Sequence, residues 1–71
     1  MNSIELEVEM KRHGDTGGTL SEFLGISQQT FSAKKNGVTA EFTQGEISAI
    51  KERYSLDSKR VGEIFFDESV S

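Results

Sequence analysis

Glu7, Glu9 and His13 are the side chains whose types and close spacing first suggest catalytic or metal-binding chemistry. Paired carboxylates act in general acid–base catalysis when both can reach one reacting group. Glu7 and Glu9 do not meet that condition, because residues two apart point to different sides of a helix. His13 is the only histidine, has no second ligand type at metal-binding spacing, and is expected to be an exposed residue at a helix end. We therefore predict that the chain is not an enzyme and takes no cofactor, metal or small-molecule substrate.

The segment from Leu20 to Phe31 indicates a different kind of site. Leu20 and Leu24 form an apolar pair at helical spacing, and Gly25 follows where that helix must end. Ser27 can cap a second helix, and Phe31 lies four residues beyond it. Helix, glycine turn and capped helix are the plan of a helix-turn-helix unit, whose second helix is shaped to enter the major groove of DNA.

Length and composition limit the fold that can hold this segment. A chain of 71 residues has room for one small domain, without a second domain or a deep substrate cleft. It has no cysteine, no signal-peptide pattern, and no apolar run of about 20 residues that could cross a membrane. We expect a soluble, cytoplasmic protein with one domain over residues 1–66 and a frayed acidic tail over residues 67–71. The absence of proline, with 34% hydrophobic and 28% charged residues, favours an all-α bundle.

Three helix starts share one device, in which an apolar residue before the cap packs against the residue four positions after the cap. The three sets are Ile26, Ser27 and Phe31; Phe42, Thr43 and Ile47; and Leu56, Asp57 and Val61. Glu46 adds a Thr-x-x-Glu capping box to the second set. With Asn36-Gly37 as a stop signal, these patterns predict five helices, near residues 3–13, 17–24, 28–35, 44–54 and 58–66.

Two of the helix starts have alternatives at the level of sequence. Thr16 and Thr19 both suit the cap of the second helix, and Thr16 gives the longer helix, which includes two glycines. In the first segment the apolar residues alternate, which is typical of a strand. A single strand would have no partner in an otherwise helical chain, and the i,i+4 ion pair of Glu7 with Lys11 favours a helix.

Several runs of residues are typical of one family of regulators. They are Met10-Lys11-Arg12-His13-Gly14, Leu24-Gly25-Ile26-Ser27-Gln28-Gln29-Thr30-Phe31-Ser32, Asn36-Gly37, Phe42-Thr43 with Glu46-Ile47, and Val61-Gly62-Glu63-Ile64-Phe65-Phe66. On these runs the chain resembles the Cro/CI-type helix-turn-helix regulators of temperate bacteriophages. Among them it is similar to the modulator-of-repression proteins of lactococcal phages, small partners of a CI repressor that oppose its control of lysogeny. The resemblance implies a compact five-helix bundle with a lambda repressor-like DNA-binding domain.

The resemblance also implies which side chains would read DNA. It puts Gln28 and Gln29 at the start of the recognition helix, where a glutamine amide can bond to both N6 and N7 of adenine. The other implied DNA contacts are Thr30, Ser32 and Ala33 on or near the same face, with Lys34, Lys35 and Asn36 where phosphates pass. The chain departs from the family in two places. Gly17 and Gly18 stand where a phosphate-gripping glutamine is common, and Lys34 stands where an apolar residue is usual.

Charge is distributed unevenly along the chain, whose formal net charge is -4. Residues 27–40 contain two lysines and no acid, whereas residues 1–26 and residues 41–71 each carry a net charge of -3. The implied recognition helix is therefore the one positive stretch on an acidic protein. Nucleic-acid-binding proteins usually have a strongly basic face, so long-range attraction to DNA should be weak.

Two functions remain open from the sequence. The first is a modulator of repression, or antirepressor, that binds the cognate CI repressor, whose basic DNA-reading surface would attract an acidic partner. The alternative is a stand-alone Cro-like repressor that binds operator DNA through its own recognition helix. The candidate partner contacts are the acids Glu5, Glu7, Glu9, Asp15 and Glu22, with Phe65 and Phe66. Because those two phenylalanines are adjacent, we expect one in the core and the other exposed.

Overall fold

The computed structural model describes residues 1–37 and 40–66, and this part of the chain is helical, with no strand. The helices are α1 (Ser3–Arg12), α2 (Gly17–Leu24), α3 (Gln28–Asn36), α4 (Gln44–Tyr54) and α5 (Ser58–Phe65). The all-α prediction of five helices is confirmed, and each observed end lies within one residue of its predicted position. The tail predicted over residues 67–71 lies outside the described residues.

The first segment is a helix, and its alternating apolar residues separate onto two faces. Leu6 and Met10, which are four residues apart, are buried against the rest of the protein, whereas Ile4 and Val8 point outward and are exposed. Asn2 caps this helix by accepting a hydrogen bond from the backbone N–H of Glu5, at 3.2 Å. Tertiary packing therefore decides between the strand and helix alternatives in favour of the helix.

The predicted caps begin the later helices. Ser27, Thr43 and Asp57 each accept a hydrogen bond from the backbone N–H three residues on. Thr16 caps α2, since its hydroxyl accepts a hydrogen bond from the Thr19 backbone N–H. In return, the Thr19 hydroxyl accepts one from the Thr16 backbone N–H at 2.8 Å. The two threonines thus form one capping box, and α2 includes both of its glycines.

The core lies where all five helices meet, with α2 packed on α3 and α5 packed on α1 and α4. Phe42 joins two other rings of the core, because its ring packs edge-on against Phe31 and Phe65 with ring centroids 5.8 Å away in each case. Phe65 is buried and Phe66 is 56% exposed, which confirms the predicted division of that pair. The other buried apolar residues are Leu6, Met10, Leu20, Ile50, Tyr54, Leu56, Val61 and Ile64.

Candidate functional site

The α2–turn–α3 unit, residues 17–36, is held in place by its turn and by one anchoring ring. Gly25 ends α2 with φ of 75°, a left-handed conformation that a residue with a Cβ adopts only with strain. Phe31 anchors α3 to the rest of the protein, since its side chain is buried in the core. The opposite side of α3 is left facing solvent, and this exposed side is the candidate contact surface.

Of the two glycines that begin α2, Gly18 makes room for a side chain of α3. A Cβ added at Gly17 would lie 3.8 Å from the Phe31 ring, which is ordinary contact. A Cβ at Gly18 would lie 3.3 Å from the side-chain amide nitrogen of Gln28, which is tighter than most Cβ contacts. Gly18 therefore lets the Gln28 side chain lie against the first turn of α2. In the sequence, Gly17 and Gly18 stand out only as departures from the pattern of the family that the chain resembles.

Most of the residues implied to read DNA are exposed on α3. Gln28, Gln29, Ser32 and Asn36 are exposed, whereas Ala33 is partly buried. Thr30 is also exposed, but its hydroxyl accepts a hydrogen bond from the Ser27 hydroxyl at 2.9 Å. The outer side of α3 therefore offers amide and hydroxyl groups, which can bond to bases or to a protein surface with no net charge.

The Lys34 ammonium is not free to bind a phosphate, because Glu46 of α4 binds it. The Lys34 ammonium donates to both carboxylate oxygens of Glu46, at 2.7 and 2.9 Å. The two side chains are 13% and 14% exposed, so water screens this pair only partly. Burial alone would raise the pKa of Glu46, but the hydrogen bonds from Lys34 and from the Thr43 backbone N–H outweigh it and lower the pKa.

Lys35 is also paired, with Glu7 of α1. Its ammonium lies 3.2 Å from the Glu7 carboxylate, and the side chains are 21% and 50% exposed. Glu7 therefore reaches across to α3, and the helical pair with Lys11 predicted from the sequence is replaced by this one. Together the two ion pairs neutralise both lysines of α3, so the positive stretch seen in the sequence is not a positive surface.

Glu5 and Glu9, two of the acids predicted as partner contacts, are both engaged by Arg60 of α5. The Arg60 guanidinium donates to Glu9 at 2.6 Å and to Glu5 at 2.7 Å, and also contacts Glu63 at 3.2 Å. Glu9 is almost fully buried, with 4% of its side chain exposed. A charge removed from water to this extent needs such a partner, so the cluster stabilises the contact between α1 and α5.

Asp15, also predicted as a partner contact, is bound by side chains of the protein itself. Its carboxylate accepts from the Arg53 guanidinium at two points, both 2.8 Å, from the Tyr54 hydroxyl at 2.6 Å and from the Thr19 hydroxyl at 2.9 Å. The hydrogen bonds from Arg53, and then those from Tyr54 and Thr19, hold the pKa of Asp15 well below its usual range. His13 completes this cluster by stacking on Tyr54, with ring centroids 4.4 Å apart.

Two of the remaining candidates can be placed directly. Glu22 on α2 is exposed, and the described residues give it no ion pair. Phe66 borders an open groove of about 410 Å³ that also touches Met1 and the end of α3. The sequence analysis did not single out Phe23, an exposed ring on α2 that lies 4.5 Å from the Arg53 guanidinium carbon. No sequence pattern predicts this contact between Phe23 and Arg53, because the two residues are thirty positions apart in the chain.

Within residues 1–37 and 40–66, no group of three or more potential ligand side chains is arranged to hold a metal ion. In the same part of the chain, no helix has the length and apolarity needed to cross a bilayer. Comparisons with models of known protein families, with curated proteins and with solved structures give no match.

Proposed function

We propose that this chain is a helix-turn-helix regulator of a phage lysis–lysogeny switch that acts through the cognate CI-type repressor. In this proposal the α2–turn–α3 unit is the helix-turn-helix, and the protein modifies the repressor's DNA binding as a modulator of repression. The observation that carries the proposal is the pairing of both α3 lysines with carboxylates of other helices. A recognition helix whose two lysines are both engaged by carboxylates is poorly suited to bind an operator alone.

Electrostatics favour a protein partner over DNA for this surface. Neutralisation of phosphates by lysine and arginine supplies essentially all non-specific DNA affinity and a large part of specific affinity. Here the net charge is -4, and the two lysines nearest the DNA-facing side are already neutralised. A repressor's DNA-binding surface carries the opposite charge, so its attraction to an acidic protein speeds and orients docking.

The groups available for that docking are those left exposed beside α3. Gln28 and Gln29 offer amide donors and acceptors at the helix start, and Glu22 offers an exposed carboxylate on α2. Phe66 is an exposed ring at the end of α5, and exposed aromatic rings are frequent anchors in protein interfaces. Glu5, Glu9, Asp15 and Phe65 have structural roles and are not part of this proposed interface.

A mobility-shift experiment on the early promoter region of the same phage tests the proposal. It compares this protein alone, the CI-type repressor alone, and the two proteins together. We expect no shift by this protein alone, and a changed repressor shift when it is added. Co-purification of the two proteins from a mixture is the matching binding assay. Tight operator binding by the isolated protein, or failure to co-purify, would contradict the proposal.

The second candidate is a stand-alone Cro-like operator binder, and one observation favours it. Gln28, Gln29 and Ser32 are exposed on α3, where base-reading side chains would be needed. Under this alternative, Gln28→Ala with Gln29→Ala abolishes operator binding while the helical content of the protein stays unchanged. Under the first proposal the same variant has no operator binding to lose, so the experiment separates the two.

A further inference from the structure

We infer that Glu7 and Glu46 determine the target class of the α2–turn–α3 unit, because they withhold the lysines of α3 from nucleic-acid phosphates. Each carboxylate comes from a different helix, and each acts on a different lysine. Glu7 and Glu46 are positioning residues, since they would affect a bound partner only through their contacts with Lys34 and Lys35. This inference rests on the proposed function in one respect, which is that α3 is the contact helix.

The pair formed by Lys34 and Glu46 is the stronger restraint. Both carboxylate oxygens bind the ammonium, and each side chain is less than one sixth exposed. Glu46 cannot easily follow a departing lysine, because its Oε1 also accepts the Thr43 backbone N–H at 2.9 Å in the cap of α4. For Lys34 to reach a phosphate, it would have to leave a carboxylate that is held in a partly buried position. Such a separation is costly for a buried pair.

The pair formed by Lys35 and Glu7 is the weaker restraint. It has a single contact of 3.2 Å, and half of the Glu7 side chain faces solvent. Exposed ion pairs of this kind have little net stability and are screened by salt. Lys35 can therefore exchange Glu7 for a phosphate more readily than Lys34 can exchange Glu46. The inference predicts an order, in which removing the Glu46 charge frees more phosphate affinity than removing the Glu7 charge.

Glutamine substitutions test this without disturbing the caps. In Glu46→Gln the side-chain oxygen still accepts the Thr43 N–H, while the charge that holds Lys34 is removed. The double variant Glu7→Gln with Glu46→Gln is compared with a control of equal net charge, Glu41→Gln with Glu52→Gln. Both control positions are exposed, and neither has an ion pair in the described part of the chain.

The measurement is fluorescence anisotropy of a labelled mixed-sequence DNA duplex, titrated with each protein at several salt concentrations. We expect the double variant to bind about tenfold or more tightly than wild type at about 50 mM salt. The slope of log affinity against log salt should steepen by about 2, because two further phosphates are neutralised. Adding Lys34→Ala and Lys35→Ala to the double variant should remove this gain.

Three outcomes would overturn the inference. They are a folded double variant that binds duplex no better than wild type, a control that gains as much as the double variant, and a gain that survives loss of both lysines. Circular dichroism establishes whether each variant is folded. If the double variant does not fold, Glu7→Gln alone still gives a test, because Glu7 is half exposed and the expected slope change is about 1.

The same set of proteins separates this inference from the proposed function. Wild type is tested in parallel for co-purification with the CI-type repressor. A gain in duplex binding by the double variant, with no repressor binding by wild type, would support the inference and contradict the proposed function. Repressor binding by wild type, with no gain in the double variant, would do the reverse.

Discussion

Replacement of Asp15 by asparagine should be the most informative single change to the stability of this domain. Asp15 joins the turn after α1 to the end of α4 through Arg53 and Tyr54, and only 6% of its side chain is exposed. Asp15→Asn keeps the shape of the side chain but removes the charge. It also replaces one carboxylate oxygen by an NH2 group, a donor that faces the donors of Arg53 and Tyr54. The variant should therefore lose most of this cluster while leaving the core unchanged.

The size of the effect follows from the partners. A hydrogen bond to a charged group contributes about 1.5–3 kcal/mol, which applies to the bond from the partly enclosed Tyr54 hydroxyl. Arg53 adds little to this figure, because its side chain is 32% exposed and solvent screens the ion pair. We expect Asp15→Asn to lower the free energy of unfolding by about 2–3 kcal/mol at neutral pH. For a domain of this size, that is a fall in Tm of about 10–20 °C.

The pH dependence identifies the cause. Because the hydrogen bonds from Arg53 and Tyr54 lower the pKa of Asp15 in the folded state, the unfolded chain binds a proton more readily there. The stabilisation from Asp15 is therefore complete above about pH 5 and is lost as the pH falls below the ordinary aspartate pKa of about 3.9. Wild type and Asp15→Asn should differ most near neutral pH and become more alike in acid.

Thermal and urea unfolding, followed by circular dichroism between neutral and acid pH, measure both effects. Glu22→Gln is the matched control, since it removes one carboxylate charge from an exposed position and should change stability by less than about 0.5 kcal/mol. The reasoning would be refuted by an Asp15→Asn variant as stable as this control. A stability difference that stays constant into strong acid would show that the ionised carboxylate is not its source.

Three further predictions concern stability and are measured by urea unfolding. Gly62→Ala should stabilise the protein by about 0.5–1 kcal/mol, because a Cβ at this helical position meets no atom within 4 Å; a loss would contradict this. Phe65→Ala should cost about 3–5 kcal/mol, whereas Phe66→Ala should cost less than about 1 kcal/mol, and equal losses would contradict the division of the pair into buried and exposed rings. Arg60→Met should cost about 3 kcal/mol, because it removes the close partner of the buried Glu9 carboxylate and leaves only the longer contact of 3.7 Å with Arg12; a neutral result would show that the cluster does not stabilise the fold.

The fold was largely predictable because its signals are local. A cap such as Ser27 or Asp57 acts on the backbone three residues away, and a left-handed glycine such as Gly25 ends a helix at its own position. Interactions of this range can be read from the order of residues alone. The prediction was open at two helix starts. At Thr16 and Thr19 the structure uses both residues in one capping box, and in the first segment the burial of Leu6 and Met10 selects the helix over the strand.

The candidate site was less predictable, because its charges depend on contacts between distant residues. The sequence identified the exposed glutamines at the start of α3 and the division between Phe65 and Phe66. It did not indicate that Lys34 meets a carboxylate of α4, since charge along the chain says nothing about which helices become neighbours. Counting residues 27–40 as positive was correct for the sequence and misleading for the surface.

By itself, the sequence predicted that the part of the chain the structure describes is helical, and it placed the ends of those five helices to within one residue. It also indicated that one of Phe65 and Phe66 enters the core, without indicating which one. Only the tertiary structure decided the use of its charged groups. It made Glu9 and Asp15 internal partners of arginines, and it set Glu7 and Glu46 against the lysines of α3. The physical reason is range, since caps and turns act within a few residues, whereas an ion pair needs two side chains that packing alone brings together.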